Sequence, residues 1–372
     1  MEITAAFLAG TDQPFEVTSL ELAEPRPTEV LVRIVASGIC ASDAHTRSGR
    51  IPSPLPCVLG HEGAGVVEAV GELVTHVVPG DHVALSWMPN CGECRHCHNG
   101  RPVLCTAATP YTLAGTMLDG SSRLSKDGDT VYHYSFLSTF ASHTVVPAAS
   151  AIKIDPTVPL GVAALVGCAI MTGYGAAVNR AQVRPGSSVL IFGAGGVGLS
   201  AVMGAKVAGA LQIIVVDPIE SKRAEAMEFG ATHVIAPGDD VVEQVRALTD
   251  GFGADYTIDA VGAPAVLAQA FDATVAGGTI VCVGVPAADA RPSLPGPQLV
   301  REEKIVTGSL YGSSRPAVDI PLILDLYARG LLPLDKMISK TYALDDINAA
   351  FDDMAAGKLN RGVLVFDDKL AY

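Results

Sequence analysis

Short runs of alternating hydrophobic and polar residues fill positions 1–150 of the chain. Runs such as EVLVRIVAS (29–37) and HEGAGVVEAV (61–70) are separated by stretches that contain glycine and proline. Alternation with a period of two is typical of strands that have one buried face, and frequent turn residues separate short neighbouring strands. The pattern therefore predicts an antiparallel, loop-rich β domain.

From Ser187 the pattern changes to fully apolar runs that alternate, for the most part, with amphipathic segments. Two of these segments, ESKRAEAMEFG and DDVVEQVRAL, have the periodicity of helices. The apolar runs read as buried strands: SVLIFG, QIIVVD, HVIA, DYTIDAVG, TIVCVG and KIVTGSL. Strands that alternate with helices form parallel sheets with helices on both faces. The sequence thus predicts an α/β domain with a doubly wound parallel sheet of six strands.

The end of the chain returns to the first pattern. Helical segments at 319–330 and 345–357 precede a last apolar run, RGVLVFD, at 361–367. We expect this run to rejoin the sheet of the first domain, so that the parallel-sheet domain is an insertion. The predicted domains are 1–169 with 311–372, and 170–310.

The composition narrows the classes of partner. The chain has 372 residues and a formal net charge of -14, and an acidic protein does not suit a nucleic acid or an anionic membrane surface. The most apolar stretch, 163–178, is too short and too rich in glycine for a membrane span. The first residues lack the basic and apolar pattern of an export signal. We expect a soluble cytoplasmic protein with no membrane or nucleic-acid partner.

Four cysteines lie close together in the loop CGECRHCHNGRPVLC. Cys91, Cys94, Cys97 and Cys105 follow one another at intervals of three, three and eight residues. This spacing is typical of a tetrahedral zinc site, and four thiolates leave no position for substrate. The sequence favours a structural zinc here. Two disulfides, or buried free thiols with a solvated basic patch, are the alternatives.

A glycine motif follows the first predicted strand of the parallel sheet. Gly193, Gly195 and Gly198 have the spacing GxGxxG and open a predicted helix, which is the context of a dinucleotide site. Asp217 ends the next strand, nineteen residues after Gly198. A carboxylate there accepts hydrogen bonds from ribose hydroxyls and repels a 2′-phosphate, which favours NAD. The alternative is a tight turn that binds no cofactor, with Asp217 as a solvated strand end.

Several further motifs carry potential metal ligands. They are GICASDAH (38–45), LGHEGAG (59–65) and LVGCAIMTGYG (165–175). Taken singly, each cysteine or histidine is more often a core residue than a ligand. Taken together and in this order, with the cysteine loop and the glycine motif, they resemble the zinc-dependent medium-chain alcohol dehydrogenase family over nearly the whole chain. The resemblance implies a GroES-like, β-rich catalytic domain with an inserted Rossmann NAD-binding domain.

The resemblance also implies two zinc ions per chain with different roles. Cys40, His61 and Cys168 match the ligands of the catalytic zinc, whose fourth position is left for water or alcohol. The cysteine loop matches the structural zinc. On this resemblance the cysteine loop stabilises the domain, and the chemistry lies at the other site.

Further roles follow from the same resemblance. Asp43 matches a carboxylate that orients His61, Glu62 a carboxylate near the zinc, and Ser42 with His45 a proton relay. Trp87 matches an aromatic wall of the substrate pocket. The residues that match cofactor contacts are Gly193, Gly195, Gly196, Val197, Gly198, Asp217, Lys222, Val283 and Arg361.

The implied function is reversible hydride transfer between a primary alcohol, aromatic or longer-chain, and NAD, which gives an aldehyde. Two alternatives stay open within the family: a glutathione-dependent formaldehyde dehydrogenase, and a nicotinoprotein that keeps NAD(H) bound. The segment MLDGSSRL resembles the formaldehyde-oxidising branch, but small residues follow Cys105 where that branch has an arginine. We expect a homodimer, with a tetramer as the alternative. A zinc-binding interaction module would leave the glycine motif unexplained.

Overall fold

The structure is a computed structural model that describes residues 1–287 and 289–372. The chain folds into two compact units, Met1–Cys168 with Arg315–Tyr372, and Ala169–Ser314. The sequence predicted that the first unit is interrupted after residue 169, one residue later than in the structure. It predicted that this unit resumes at residue 311, four residues earlier than in the structure. Each unit is built around hydrophobic core residues of its own.

The helices and strands follow one another in chain order as listed here. The strands are β1 (Glu2–Leu8), β2 (Glu16–Leu22), β3 (Glu29–Ile39), β4 (Cys57–Val58), β5 (Glu62–Val70), β6 (His82–Leu85), β7 (Leu124–Lys126), β8 (Asp129–His133), β9 (His143–Pro147), β10 (Ala151–Lys153), β11 (Ser188–Phe192), β12 (Gln212–Val216), β13 (His233–Ile235), β14 (Ala254–Asp259), β15 (Thr274–Cys282), β16 (Ile305–Gly308), β17 (Ile338–Tyr342) and β18 (Arg361–Val365). The α-helices are α1 (Ala41–Arg47), α2 (Arg95–His98), α3 (Leu160–Leu165), α4 (Met171–Gly175), α5 (Gly196–Val207), α6 (Glu220–Phe229), α7 (Val241–Leu248), α8 (Pro264–Ala273), α9 (Gly296–Arg301), α10 (Pro316–Ala328), α11 (Ile347–Ala355) and α12 (Asp368–Ala371).

The first unit contains a closed barrel and a larger sheet. The barrel has the order β1-β2-β7-β8-β4, and the larger sheet has the order β10-β6-β5-β3-β18-β17, with β9 also paired to β3. Most pairs are antiparallel, as predicted, although β4 pairs with β8 in parallel. The last strand does rejoin this sheet, because β18 pairs antiparallel with β3 and Gly362 lies opposite Ile39.

The second unit contains a parallel sheet with the strand order β13-β12-β11-β14-β15-β16. All six strands predicted from the apolar runs are present, and each pair is parallel. Buried side chains such as Leu190, Ile214 and Phe271 pack into one core between the sheet and its helices. The strand order reverses direction at β11, which is where sheets of this kind bind ligands. The glycine motif directly follows that strand.

One helical segment corrects a prediction about membrane spans. The helix from Leu160 to Ala181 is long and apolar enough to cross a membrane by length and composition, whereas the sequence suggested that no stretch was. However, 83% of its most apolar window is buried inside the protein. Core helices of globular proteins pass the same test. Two stretches within it, Val166–Ile170 and Ala176–Ala181, are π-helical.

Candidate active site

Cys40, His61, Glu62 and Cys168 meet inside the first unit. Each offers a ligand atom, and these atoms all lie within 4.8 Å of one another. Strand pairing brings three of them together, because Gly38 near the end of β3 lies opposite Glu62 at the start of β5. Cys168 comes from the π-helical segment, a form of helix that is frequent at functional sites. The predicted ligand set is thus clustered, together with Glu62.

Asp43 holds Cys40 and His61 of this cluster in place. Its carboxylate is fully buried and lies 3.1 Å from Nδ1 of His61. It also accepts hydrogen bonds from the backbone N–H groups of Cys40 and Gly60, each at 3.1 Å. Because Nδ1 is engaged by Asp43, Nε2 is the nitrogen left for a metal ion. The predicted orienting role of Asp43 agrees with this arrangement.

The cluster concentrates thiol and carboxylate groups in a buried place. The hydrogen bond with Cys168 holds the pKa of the Cys40 thiol well below its usual value, and the same contact together with burial raises the pKa of Cys168. Burial raises the pKa of Glu62 to about 7. Burial opposes the charged form of His61, but the nearby Asp43 carboxylate raises its pKa above the usual value. Burial and crowding thus favour the neutral forms of Cys168 and Glu62, and a cation bound among these groups would stabilise their ionised forms.

The donor set of this cluster fits zinc. Two thiols and an imidazole are the N and S ligands that Zn²⁺ prefers, and three protein ligands leave a position open. The Glu62 carboxylate is fully buried, and within residues 1–287 and 289–372 neither of its oxygens has a hydrogen-bond partner. Its closest charged neighbour is Arg361, with 3.7 Å between Nη2 and Oε1. A carboxylate without donors at this point suits a metal ion that it can approach.

The cysteine loop forms a second, separate cluster. The sulfur atoms of Cys91, Cys94, Cys97 and Cys105 lie within 4.8 Å of one another. The disulfide alternative is wrong, because these cysteines are free thiols. Backbone N–H groups of Cys91 and Cys94 point at the sulfurs of Cys105 and Cys91, each at 3.3 Å. Four sulfurs with amide donors around them are suited to a closed zinc site.

The backbone of this loop favours the thiolate form of Cys91 and Cys94, whereas burial raises the pKa of Cys97 to about 12. Hydrogen bonds from backbone N–H groups, first that of Cys97, lower the pKa of Cys94 to about 5. Backbone N–H groups of Glu93 and Cys94 lower the pKa of Cys91 in the same way. The thiolate is the form that binds zinc. His96 and His98 lie in the same loop outside the sulfur cluster.

The glycine motif has the shape of a dinucleotide cradle. Gly193 has a φ of 92°, which favours glycine, and a side chain at Gly198 would collide with the carbonyl of Gly193. At Gly195 an added Cβ would meet no atom within 4 Å, so the backbone is open to a ligand there. Helix α5 begins at Gly196 and points its first amides toward this space. The backbone is thus suited to a pyrophosphate.

Asp217 lies beside the motif at the end of β12. It is 6% exposed, and its two carboxylate oxygens accept hydrogen bonds from the N–H groups of Ala194 at 2.8 Å and Ile219 at 2.9 Å. The alternative of a solvated strand end does not describe this residue. Arg223 donates to the carbonyl oxygen of Asp217 at 2.7 Å, an arrangement that the sequence did not suggest.

The other predicted cofactor contacts occupy different places. Val197 lies in the first turn of α5, and Lys222 is half-buried on α6. Val283 follows β15, where its N–H donates to the carbonyl of Asp259 at 2.9 Å. Arg361 belongs to the first unit and pairs with Glu62. Its role as a cofactor contact therefore stays a prediction.

The predicted relay and pocket residues lie in the first unit. Ser42 Oγ is 3.9 Å from Cys40 Sγ, so the hydroxyl borders the cluster. His45 is exposed one turn further along α1. Trp87 is half-buried and packs against a core cluster of the larger sheet. Ser42 is thus placed at the cluster and His45 at the protein surface.

Comparisons with known proteins agree with this geometry. Residues 26–156 match the model of the alcohol dehydrogenase GroES-like domain, and residues 196–329 match that of zinc-binding dehydrogenases. An alcohol dehydrogenase D of Mycobacterium tuberculosis is 42% identical over 98% of this chain and 100% of its own length. The chain belongs to the zinc-dependent medium-chain alcohol dehydrogenase family.

Two further proteins that are similar to the present chain carry names that describe an activity. The NDMA-dependent alcohol dehydrogenase of Amycolatopsis methanolica is 41% identical over 98% of this chain and 99% of its own. The crystal structure of benzyl alcohol dehydrogenase from Acinetobacter calcoaceticus superimposes with a TM-score of 0.93, at 36% identity, over 98% and 99% of the two chains. The GroES-like and Rossmann-like fold expected from the sequence is confirmed.

Two residues near the zinc cluster of the dehydrogenase were not found from the sequence. Tyr134 is 4% exposed, and its ring packs edge-on against the ring of His61, with centroids 5.5 Å apart. Its hydroxyl lies 3.0 Å from Oγ1 of Thr46, which in turn donates to the carbonyl of Ser42 at 3.0 Å. Thr46 follows Ser42 by one helical turn, a spacing visible in the sequence, whereas no local pattern indicates Tyr134.

Proposed function

We propose that this alcohol dehydrogenase transfers hydride reversibly between primary alcohols, aromatic or longer-chain, and NAD, and that aldehydes are the oxidised products. The observation that carries the proposal is the cluster of Cys40, His61 and Cys168 within 4.8 Å, with Glu62 beside it. Three protein ligands of this kind are typical of a zinc site that also binds substrate. The name of the benzyl alcohol dehydrogenase supports an aromatic substrate.

Two zinc ions and one NAD complete this proposal. Cys40, His61 and Cys168 would hold the catalytic zinc, the cysteine loop would hold the structural zinc, and the glycine motif would hold NAD. When bound, the catalytic zinc acts as a Lewis acid on the substrate oxygen and NAD accepts or returns hydride. The protein supplies position, charge and proton transfer around them.

Ser42 and His45 would carry the proton of the alcohol outward. The hydroxyl of Ser42 borders the thiol of Cys40, so it can accept a proton from a substrate oxygen that is bound there. His45 is exposed on the same helix and can exchange protons with water. A Ser42→Ala variant should lose at least tenfold in kcat for oxidation while zinc and cofactor stay bound. Unchanged turnover in that variant would refute the relay.

NAD rather than NADP is the proposed cofactor. The Asp217 carboxylate is held by two backbone N–H groups and cannot turn away from a 2′-phosphate. We expect a preference for NAD of at least about tenfold in kcat/KM, or about 1.4 kcal/mol. The test compares both cofactors at equal substrate concentration, and Asp217→Asn should reduce the preference. If NAD does not exchange, reconstituted apoprotein must be used.

Two alternatives can be separated by one set of measurements. Purified protein is denatured, and the released zinc and NAD(H) are quantified beside activity on benzyl alcohol, hexanol and S-hydroxymethylglutathione. Stoichiometric NAD(H) with activity only in the presence of NDMA would support a nicotinoprotein, in line with the name of one relative. Activity confined to S-hydroxymethylglutathione would support the formaldehyde-oxidising alternative. Activity on the alcohols with added NAD supports the main proposal.

We also propose that the enzyme is a cytoplasmic homodimer without membrane or nucleic-acid partners. Free thiols suit a reducing compartment, and the cysteines of the described residues are free. Large hydrophobic side chains such as Val285 and Val300, 84% and 77% exposed, support association of chains. Light scattering after gel filtration measures the mass. A monomer at micromolar concentration would overturn the dimer.

A further inference from the structure

A cavity of about 830 Å³ opens at the amino-terminal edge of the parallel sheet, entirely within the second unit. One wall is formed by residues 180–187, which lead into β11. The opposite wall is formed by Asp255 and Tyr256 of β14, residues 275–279 of β15, and Ile305 with Thr307 of β16. Small-molecule sites in proteins have volumes of about 300–1,000 Å³. The size of the cavity therefore suits a metabolite.

The cavity is separate from the dinucleotide motif. Ser187, which lines it, directly precedes β11, and Gly193 directly follows that strand. A strand rises about 3.3 Å per residue, so five residues place the two ends roughly 16 Å apart. The cavity and the glycine motif therefore lie at opposite edges of the same sheet. A ligand in the cavity does not compete with the cofactor for space.

Two arginines give the cavity its charge. Arg180 and Arg184 both line it, and within residues 1–287 and 289–372 no carboxylate forms an ion pair with either. Asp255 is the carboxylate among the lining residues, and its Oδ2 already accepts hydrogen bonds from the N–H and the hydroxyl of Ser188, each at 2.8 Å. Positive charge is therefore in excess here, in a chain whose net charge is -14.

Arg180 shows an unmet hydrogen-bonding requirement. Its Nη2 donates to the hydroxyl of Thr307 on β16, which fixes the direction of the guanidinium group. Its Nε is buried and has no hydrogen-bond partner among the described residues. A buried N–H group without an acceptor is unfavourable, and a charged one more so. The buried Nε is out of reach of a ligand, but the charge of the guanidinium group has no carboxylate partner among the described residues, and an anion in the cavity would supply one.

We propose that this cavity binds the oxyanion group of a small metabolite, a phosphate or a carboxylate, through Arg180 and Arg184. A guanidinium group presents its N–H donors in a planar fork that matches both oxyanions. The hydroxyl of Thr279 lines the same space and can donate a further hydrogen bond, whereas that of Ser187 already donates to the carbonyl of Arg184 at 2.7 Å. The site lies beyond the alcohol dehydrogenase reaction, because none of these residues belongs to the zinc cluster or the glycine motif.

The test titrates inorganic phosphate and, separately, succinate into the zinc-loaded protein by isothermal calorimetry. Saturating NADH is present, so that the pyrophosphate cradle is filled. We expect at least one of the anions to bind, and Arg180→Met and Arg184→Met each to weaken it at least tenfold. The control Arg246→Met removes an arginine of the same unit that does not line the cavity and should change affinity less than twofold.

The two anions distinguish the chemical sources, since the one that binds more tightly identifies phosphate or carboxylate as the natural group. Unchanged NADH affinity shows that a variant is folded. If Arg180→Met does not fold, Arg184→Met decides, because that side chain is exposed at the surface. Absence of binding heat with both anions, or equal weakening in the Arg246→Met control, would overturn the proposal.

Discussion

Glu62 and Arg361 face each other in the interior of the first unit, with 3.7 Å between Oε1 and Nη2. Both side chains are almost fully withdrawn from solvent, at 0% and 6% exposure. Neither oxygen of Glu62 has a hydrogen-bond donor among the described residues, so the arginine charge is the closest compensation that the protein supplies. Removal of Glu62 should leave the arginine charge unpaired, and removal of Arg361 should leave Glu62 either protonated or charged without a partner, because burial already raises its pKa to about 7.

We expect Arg361→Met to lower the free energy of unfolding by up to about 3–5 kcal/mol, the usual cost of breaking a buried ion pair from one side, and by less at low pH, where Glu62 is protonated. The double variant Glu62→Gln, Arg361→Met should recover more than half of that loss, because no charge is left unpaired. Urea unfolding of the zinc-loaded parent, the two single variants Glu62→Gln and Arg361→Met, and the double variant measures these free energies. Strict additivity of the two single changes would show that the pair is not coupled.

Tyr134 should position both helix α1, which carries Ser42 and His45, and the proposed zinc ligand His61. Tyr134→Phe keeps the ring contact with His61 and removes the hydroxyl near Thr46, so we expect full zinc content and about a fivefold loss of kcat, the effect of one hydrogen bond of about 1 kcal/mol. Tyr134→Leu also removes the ring and should reduce zinc retention. Thr46→Val is the matched control and should resemble Tyr134→Phe. Identical kinetics in Tyr134→Phe and the parent would contradict this role.

The parts of the fold that local patterns encode were predictable. The central strands β11 and β12 are nearly continuous apolar runs with buried residues on both faces, as is typical of strands covered on both sides by helices. The glycine motif is equally local: the φ of Gly193 and the close approach at Gly198 are requirements of a single turn. Resemblance to a family then supplied the scattered ligands, which no periodicity links.

The contacts that the sequence missed depend on strand register. Arg361 precedes Gly362, which lies opposite Ile39, and Gly38 lies opposite Glu62 on the next strand. These two registers bring Arg361 to Glu62, although the residues are far apart in the chain. The resemblance to the family gave Arg361 a role with the cofactor, which stays a prediction, and the pairing with Glu62 is an additional contact that the sequence did not indicate. Tyr134 meets His61 through tertiary packing in the same way.

Stability should depend on pH through His133. Burial, together with the charge of Arg123, lowers the pKa of this fully buried histidine to about 3, and its Nε2 accepts the N–H of Arg123 at 3.1 Å. In the unfolded chain the pKa of this histidine is near 6.5. Between about pH 6.5 and pH 3 the unfolded chain therefore binds a proton at this histidine that the folded protein does not bind. The free energy of unfolding should fall as the pH falls through that window.

One proton contributes at most about 1.4 kcal/mol per pH unit to this slope. His133→Gln keeps an acceptor and removes the titration, so its unfolding free energy should depend less on pH between 6.5 and 4.5 than that of the parent. Urea unfolding at several pH values gives the comparison. Equal slopes in parent and variant would show that His133 is protonated in the folded protein.

The two metal clusters should respond differently to loss of one thiol, because their coordination differs. Cys168→Ser replaces a ligand at a cluster that lies within a well-packed core, so we expect activity to collapse while the fold survives. Cys94→Ser opens a four-sulfur site in a loop that has few buried apolar side chains, so we expect the order of this loop to depend on its metal. Structural zinc contributes roughly 10 kcal/mol of folding free energy in small peptides, so Cys94→Ser should lower thermal stability.

Metal analysis of the same proteins should find about two zinc ions per chain in the parent and about one in each variant, because we propose one ion at each cluster. Cys57→Ser is a suitable control: Cys57 is a fully buried thiol outside both clusters, and its replacement should leave the zinc content unchanged. The assignment depends on which variant loses activity and which loses stability. A stable Cys94→Ser protein that retained both ions, beside an unfolded Cys168→Ser protein, would reverse the roles of the two sites.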